Sequence, residues 1–316
     1  MPEGNNLVLL TGTANLPLAK NIGRRLKKTV HETISEFADG EKRILIPENL
    51  RRRDVFIIQP TSPPTDSNIM ELLLIIDAAR RASAKEITAI IPYFGYSRQD
   101  RREARAAISA SLVASLIEHA GADRVVTIDM HSEQSQGSIQ SPWDNLYASF
   151  SLVPAIESRY HGNLIVASPD KGGVAKATYY AERLRADGIA IVYKERDIKK
   201  NNHSKVLDMI GEVKGKDVLL VDDMIDTAGT VCAAADLLKR RGAKSIRAAA
   251  THGLFSGPAL ERINKSIIQE IFITDTVKLK DEVTKNPKIN VISVSKLLAE
   301  AVRCIHTGDS LSAKFN

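Results

Sequence analysis

The stretch Val218-Leu219-Leu220-Val221-Asp222-Asp223-Met224-Ile225-Asp226-Thr227-Ala228-Gly229-Thr230 decides the fold. Four consecutive apolar residues end in two carboxylates. A run without polar alternation reads as a strand buried on both faces of a parallel sheet. Small and hydroxylated residues follow, and from Thr230 the pattern turns helical. Val231, Ala234, Ala235, Leu237 and Leu238 share a face there, and Lys239, Arg240, Arg241 and Gly242 close it. In open α/β sheets, ligands sit beyond the carboxyl ends of the strands, where the next helix offers unpaired N–H groups to an anion. Gly229 permits close backbone approach, while Thr227 and Thr230 add hydroxyl donors. The turn of Asp226, Thr227, Ala228, Gly229 and Thr230 is therefore expected to take a phosphate monoester. Asp222 and Asp223 stand one step back, where a sugar's hydroxyls or a hydrated magnesium ion would lie. A lone pair of aspartates would suit an ordinary capped turn equally well; the pair followed by Asp-Thr-Ala-Gly-Thr narrows the choice.

Working outward, 316 residues suffice for two domains, each with its own core. Hydrophobic content of 43% and charged content of 26% describe a soluble globular chain. The net charge of +6 and pI near 9.2 favour anionic ligands. Arginines and lysines are spread along the chain and no nucleic-acid module is recognisable, so nucleotides and sugar phosphates are expected rather than nucleic acid. The two cysteines, Cys232 and Cys304, form no framework and point to a reducing cytoplasm. The N-terminal apolar run 7–10 is too short for a signal peptide or a membrane span, and no membrane partner is expected.

In chain order, strands are expected at 7–10, 53–59, 86–91, 124–128 and 164–167, and helices at 16–29, 68–82 and 109–119. A tight turn is expected at 37–41. The seam between halves falls in 142–155. An internal echo supports two related halves. Arg53-Asp54-Val55-Phe56-Ile57-Ile58 resembles Lys216-Asp217-Val218-Leu219-Leu220-Val221. Each leads to a helix ending in paired arginines and then to Ala84-Lys85-Glu86-Ile87 or Ala243-Lys244-Ser245-Ile246. Shared βαβ grammar would give a similar match; duplication of one doubly wound domain is the preferred account. The first copy carries Gln59-Pro60 where the second carries Asp222-Asp223.

Over nearly its whole length the sequence resembles the ribose-phosphate diphosphokinase (phosphoribosyl pyrophosphate synthetase) family. The resemblance rests on residues 37–41, 54–64, 81–84, 91–100, 129–131, 168–173, 194–196, 221–230 and 251–258 taken together. It implies an α/β fold of two tandem phosphoribosyltransferase-type domains, each a mainly parallel sheet flanked by helices. These would be 1–147 on the ATP side and 148–316 on the ribose 5-phosphate side, the last residues free to pack back on the first domain. It also implies transfer of the β,γ-diphosphoryl group of ATP to the 1-hydroxyl of ribose 5-phosphate for nucleotide biosynthesis. Mg2+ would be the cofactor, and a homo-oligomer, commonly a hexamer, the assembly.

Residue by residue, the resemblance implies that Lys194 and Arg196 stabilise the transferring group, with 197–204 as a lid over it. Their i, i+2 spacing would put two cations on one face of a strand. Asp170, Lys171, Gly172 and Gly173 would form a diphosphate loop of successive N–H groups. ATP would be bound by Phe37, Asp39, Glu41, Arg98, Gln99, Asp100 and His131, the first three reaching a neighbouring subunit's site. Magnesium would be held by His131 and Asp170, few protein ligands being normal for that ion. Asp222 and Asp223 would hold the ribose hydroxyls and metal. Departures at 98–105, Ala107, Ser111, 137–140 and Lys176 lie around the ATP and regulatory surfaces, so the family's control by phosphate and nucleoside diphosphate is not carried over. Two alternatives stand beside the diphosphokinase: a phosphoribosyltransferase, needing only the second half, and a non-catalytic regulatory homologue.

Overall fold

Short apolar runs recur along the sequence, and in the computed structural model each becomes a strand buried along its length. The structure describes residues 6–102, 104–160, 162–196 and 205–315, with residues 194–196, 205, 206 and 315 by backbone alone. The chain divides into two compact units. One takes the residues up to Ala148, Thr276–Lys278 and the segment from Ser293; the other takes Ser149–Asp275 and Leu279–Ile292.

The first unit begins with β1 (Leu7–Thr11), α1 (Leu16–Leu26) and β2 (Val30–Glu32). α1 stops three residues before the expected end because Lys27 turns left-handed (φ 55°) and Lys28 N–H closes on Gly23 O at 2.9 Å. β3 (Ile34–Glu36) and β4 (Lys42–Ile44) form an antiparallel hairpin around the expected tight turn. Then come β5 (Asp54–Ile58), α2 (Thr65–Arg81), β6 (Glu86–Ile91), α3 (Ser109–Ala120), β7 (Arg124–Ile128) and β8 (Trp143–Leu146). α2 starts at Thr65, earlier than periodicity suggests, with Asp66 in its first turn. Among the described residues the sheet order is β2-β1-β5-β6-β7-β8, parallel throughout. Val55, Ile57, Leu72, Ile75, Ile76, Ile91 and Ile117 sit at the centre of its core.

The second unit runs through α4 (Ser149–Glu157), β9 (Leu164–Ser168), α5 (Val174–Arg183), β10 (Gly188–Arg196), β11 (Lys205–Ile210) and β12 (Asp217–Ile225). It continues with α6 (Gly229–Arg240), β13 (Ser245–Gly253), α7 (Ala259–Lys265), β14 (Ile271–Thr274), α8 (Asp281–Thr284) and β15 (Ile289–Ile292). The order is β11-β10-β9-β12-β13-β14-β15, with β11 the antiparallel edge. Strands β9-β12-β13-β14-β15 thus repeat the order β1-β5-β6-β7-β8. The sequence echo has a structural counterpart. Lys85 Nζ lies 3.3 Å from Asp54 and Lys244 Nζ 3.6 Å from Asp217, at the starts of corresponding strands. Lys85 N–H and Lys244 N–H likewise donate to Arg53 O and Lys216 O, each at 2.8 Å.

At Ser293 the chain re-enters the first unit, where α9 (Ser295–Thr307) packs on α1 and α10 (Leu311–Phe315) follows. Arg25 Nε donates to Ser295 Oγ at 2.8 Å, and His306 Nδ1 meets Asp54 Oδ2 at 2.8 Å.

Candidate active site

The carboxyl edge of the second sheet is uneven, and this unevenness builds the site. β9 pairs with β12 only as far as Leu220 opposite Ala167. β12 nevertheless continues, held by β13 alone, with Asp222 opposite Ala250, Met224 opposite His252 and Ile225 opposite Gly253. The strand expected to end at its first carboxylate therefore carries both, and Asp222 and Asp223 project from half-buried backbone. Asp222 Oδ1 accepts the Asp223 N–H at 2.8 Å. Burial first, then the carboxylate of Asp223 and the more distant one of Asp170, push the Asp222 carboxyl well above the ordinary carboxylate range. Three acids thus share one field at the end of the sheet.

Beyond β12 the turn is fixed from behind. Ile225 O accepts the N–H groups of Leu254 at 2.9 Å and Phe255 at 3.2 Å. Asp226 O accepts Ser256 N–H at 2.9 Å, and Thr227 O accepts Arg262 Nη1 at 2.9 Å. A trans peptide sets its N–H opposite its C=O. Three successive carbonyls drawn to one side turn the N–H groups of Asp226, Thr227 and Ala228 to the other, as an anion-binding nest requires. The left-handed residue of the turn is Ala228 (φ 59°), which is buried, whereas Gly229 opens α6 in ordinary helical geometry. The left-handed conformation falls on Ala228, at a cost of about 1–2 kcal/mol, while Gly229 keeps only the role of close approach. Thr227 and Thr230 are exposed.

The loop after β9 lies on the same edge. Asp170 Oδ1 accepts from Gly172 N–H at 2.8 Å and Gly173 N–H at 3.1 Å. A carboxylate of the loop itself thus occupies the N–H pair that the sequence offers to a diphosphate. Gly173 has no room for a side chain: a Cβ would stand 2.5 Å from Ser168 Oγ. Lys171 Nζ rests 5.1 Å from the centre of the Tyr193 ring. β10 passes its last pairing with β9 at Ile191 and carries the backbone of Lys194 and Arg196 three and five residues further along. The side chains of both, and the whole of 197–204, fall outside what the structure describes.

The remaining candidates belong to the first unit. Phe37 N–H donates to Glu41 O at 2.9 Å and Glu41 N–H to Asp39 Oδ1 at 3.1 Å, which shapes the hairpin turn. Phe37 is 51% exposed, with Arg43 5.9 Å from its ring centre. Arg98 and Gln99 are exposed after β6, and Gln99 Oε1 accepts Ser109 Oγ at 2.7 Å beside the start of α3; Asp100 is half-buried. His131 is exposed after β7, the neighbouring strand, so it shares an edge with 98–100. Asp129, two residues before it, is buried and accepts Ala148 N–H at 3.0 Å. Among the described residues no three His, Cys, Asp or Glu side chains cluster as a ready-made metal cage.

Two family models match the chain: the N-terminal domain of ribose phosphate pyrophosphokinase over residues 7–121, and the phosphoribosyl synthetase-associated domain over residues 199–316. A ribose-phosphate pyrophosphokinase of Vibrio parahaemolyticus is 47% identical over 319 residues, covering 100% of both chains. The chain belongs to the ribose-phosphate pyrophosphokinase family. Another member, from Wolinella succinogenes, is 48% identical over 97% of this chain and 98% of its own. The crystal structure of phosphoribosylpyrophosphate synthetase from Mycobacterium smegmatis superposes with a TM-score of 0.90 at 37% identity, covering 96% of this chain and 100% of that one. The expected family and the α/β fold with two mainly parallel sheets are thereby borne out. Among the described residues, no helix is long and apolar enough to cross a membrane. Motif reading within the family passed over the 254–262 segment as a partner of the turn. The sequence resemblance rests in part on 251–258 without giving it a task, and Arg262 lies beyond that motif, though within the 199–316 match.

Proposed function

We propose that this chain, an ATP-dependent diphosphotransferase of its family, moves the β,γ-diphosphoryl group of ATP to the 1-hydroxyl of ribose 5-phosphate and releases AMP. One observation carries the sugar side: the back-anchored turn after β12, with its N–H groups turned outward beside Asp222 and Asp223. In this reading Asp226, Thr227, Ala228, Gly229 and Thr230 take the 5-phosphate, and Asp222 and Asp223 orient the ribose hydroxyls. The carboxyl edge of the first sheet takes ATP through Arg98, Gln99, Asp100 and His131. Phe37, Asp39 and Glu41, on an exposed hairpin, reach the adenine of a neighbouring copy in a homo-hexamer.

Lys194 and Arg196 neutralise charge on the transferring group, and the 170–173 loop holds the diphosphate once the Asp170 carboxylate leaves its N–H pair. The residues fit magnesium: burial and the carboxylates of Asp223 and Asp170 raise the cost of ionising Asp222, and a hard cation with few protein ligands relieves it. When bound, Mg2+ supplies charge neutralisation on phosphoryl oxygens, with His131 and Asp170 as its protein ligands. The cytoplasm is the compartment this chemistry and the two free cysteines suit. Incubation with ATP, Mg2+ and ribose 5-phosphate, followed by chromatography of nucleotides, is the test. AMP formed in step with phosphoribosyl pyrophosphate is expected; consumption of phosphoribosyl pyrophosphate with a free base and no AMP would overturn the assignment.

A further inference from the structure

Of the donors that hold the turn after β12, three are backbone N–H groups and one is a side chain. Arg262 comes from α7, and its Nη1 donates to Thr227 O at 2.9 Å across 35 residues of sequence. The same nitrogen lies 3.4 Å from where a Cβ on Gly229 would stand, so the guanidinium rests against the first residue of α6 as well. α7 is itself pinned. Lys288 Nζ donates to Ile263 O at 3.0 Å, Asn264 O at 3.3 Å and Ser266 O at 2.7 Å, capping the end of the helix, and Ile263 is fully buried. Ala228, at φ 59°, follows the anchored peptide directly, so the turn keeps a strained conformation at the point Arg262 grips.

We infer that Arg262 is a positioning residue for the sugar phosphate. By fixing the Thr227–Ala228 peptide it aims the Ala228 N–H at the 5-phosphate and keeps the left-handed turn formed before the substrate arrives. The inference rests on the assignment of residues 226–230 to that phosphate. A guanidinium suits the task because a nitrogen that bonds the carbonyl also lies beside Gly229, on a broad planar group that an ammonium does not replace.

The test compares Arg262→Gln and Arg262→Lys with Thr230→Val in the full chain. KM for ribose 5-phosphate and for ATP, kcat and thermal midpoint are measured for each. Arg262→Gln is expected to raise KM for ribose 5-phosphate about ten-fold, the loss of one charged hydrogen bond. KM for ATP and the thermal midpoint should hardly move, and Arg262→Lys should fall between Gln and the native enzyme. If Thr230→Val raises KM for ribose 5-phosphate but Arg262→Gln does not, the inference fails and the phosphate assignment stands. If neither variant raises it, both fail. Parallel rises in both KM values with a lowered thermal midpoint would make Arg262 a general support of the fold and overturn the inference.

Discussion

The two sheets present the same edge built to opposite ends. Gln59 and Pro60 follow β5 where Asp222 and Asp223 extend β12. Proline has no N–H to continue a ladder, and β5 stops at Ile58. Gln59, with no exposed surface, turns inward, donating to Glu71 Oε2 at 2.9 Å and accepting Ala14 N–H at 3.3 Å. Glu71, 1% exposed, also takes Thr13 N–H and Thr13 Oγ1 at 2.9 Å. A Cβ on Gly12 would stand 2.6 Å from Gln59 Oε1. The first crevice is filled by its own hydrogen bonds; the second leaves acids and a nest at the surface. One arrangement gains stability from its polar groups, and the other gives stability up for them.

The largest expected effect lies on the second edge. Asp223→Ala should lower kcat/KM about 100-fold or more, since a charged hydrogen-bonding partner of the sugar is lost, while the thermal midpoint holds. Steady-state AMP release measures it. A comparable loss from Glu71→Ala, in protein that is still folded, would break the comparison.

For Glu71→Ala the expected cost is instead in folding, about 2 kcal/mol, because Gln59, which is fully buried, is left with an unmet donor and Thr13 loses its partner. Denaturant titration reads it, and turnover of the folded fraction should stay within about two-fold of native.

Asp222→Asn should raise the stability of the metal-free protein by about 1 kcal/mol while abolishing most activity, a trade expected where like charges are gathered for function. The pH dependence sharpens this. The folded-state value of Asp222 lies above its usual 3.8, so its contribution to stability is complete below that value and is lost as pH rises through the raised one. The thermal midpoint of native protein should therefore fall, relative to Asp222→Asn, from pH of about 4 up to about 8, where the raised value lies, and the difference should level off above it. A difference that stays flat with pH would show that the carboxyl is not held protonated.

Much of this architecture is legible in the sequence because continuous apolar runs leave little choice. β6 and β7 begin and end where the pattern says, and the echo of Asp54 with Asp217 reaches down to matching lysine contacts. What stays hidden depends on partners remote in sequence. Arg262 meets Thr227 only because α7 is packed and capped, and His306 meets Asp54 across 252 residues. Ala228 illustrates the limit in another way. Local propensity would favour a glycine for left-handed backbone, but the turn anchored by the 254–256 loop and by Arg262 of α7 places it on the alanine beside one. The Gln59–Glu71 pair carries no sequence signal, since an exposed helix side chain and a buried one look alike until the neighbouring strand is placed.

The return of the chain to its first unit has a consequence for the order of birth. α9 closes on α1, and His306 completes the polar group at Asp54, yet both are made only after the residues of the second unit have been synthesised. The part synthesised first therefore waits to be finished until the part synthesised last emerges, while the segment between them can close on itself earlier.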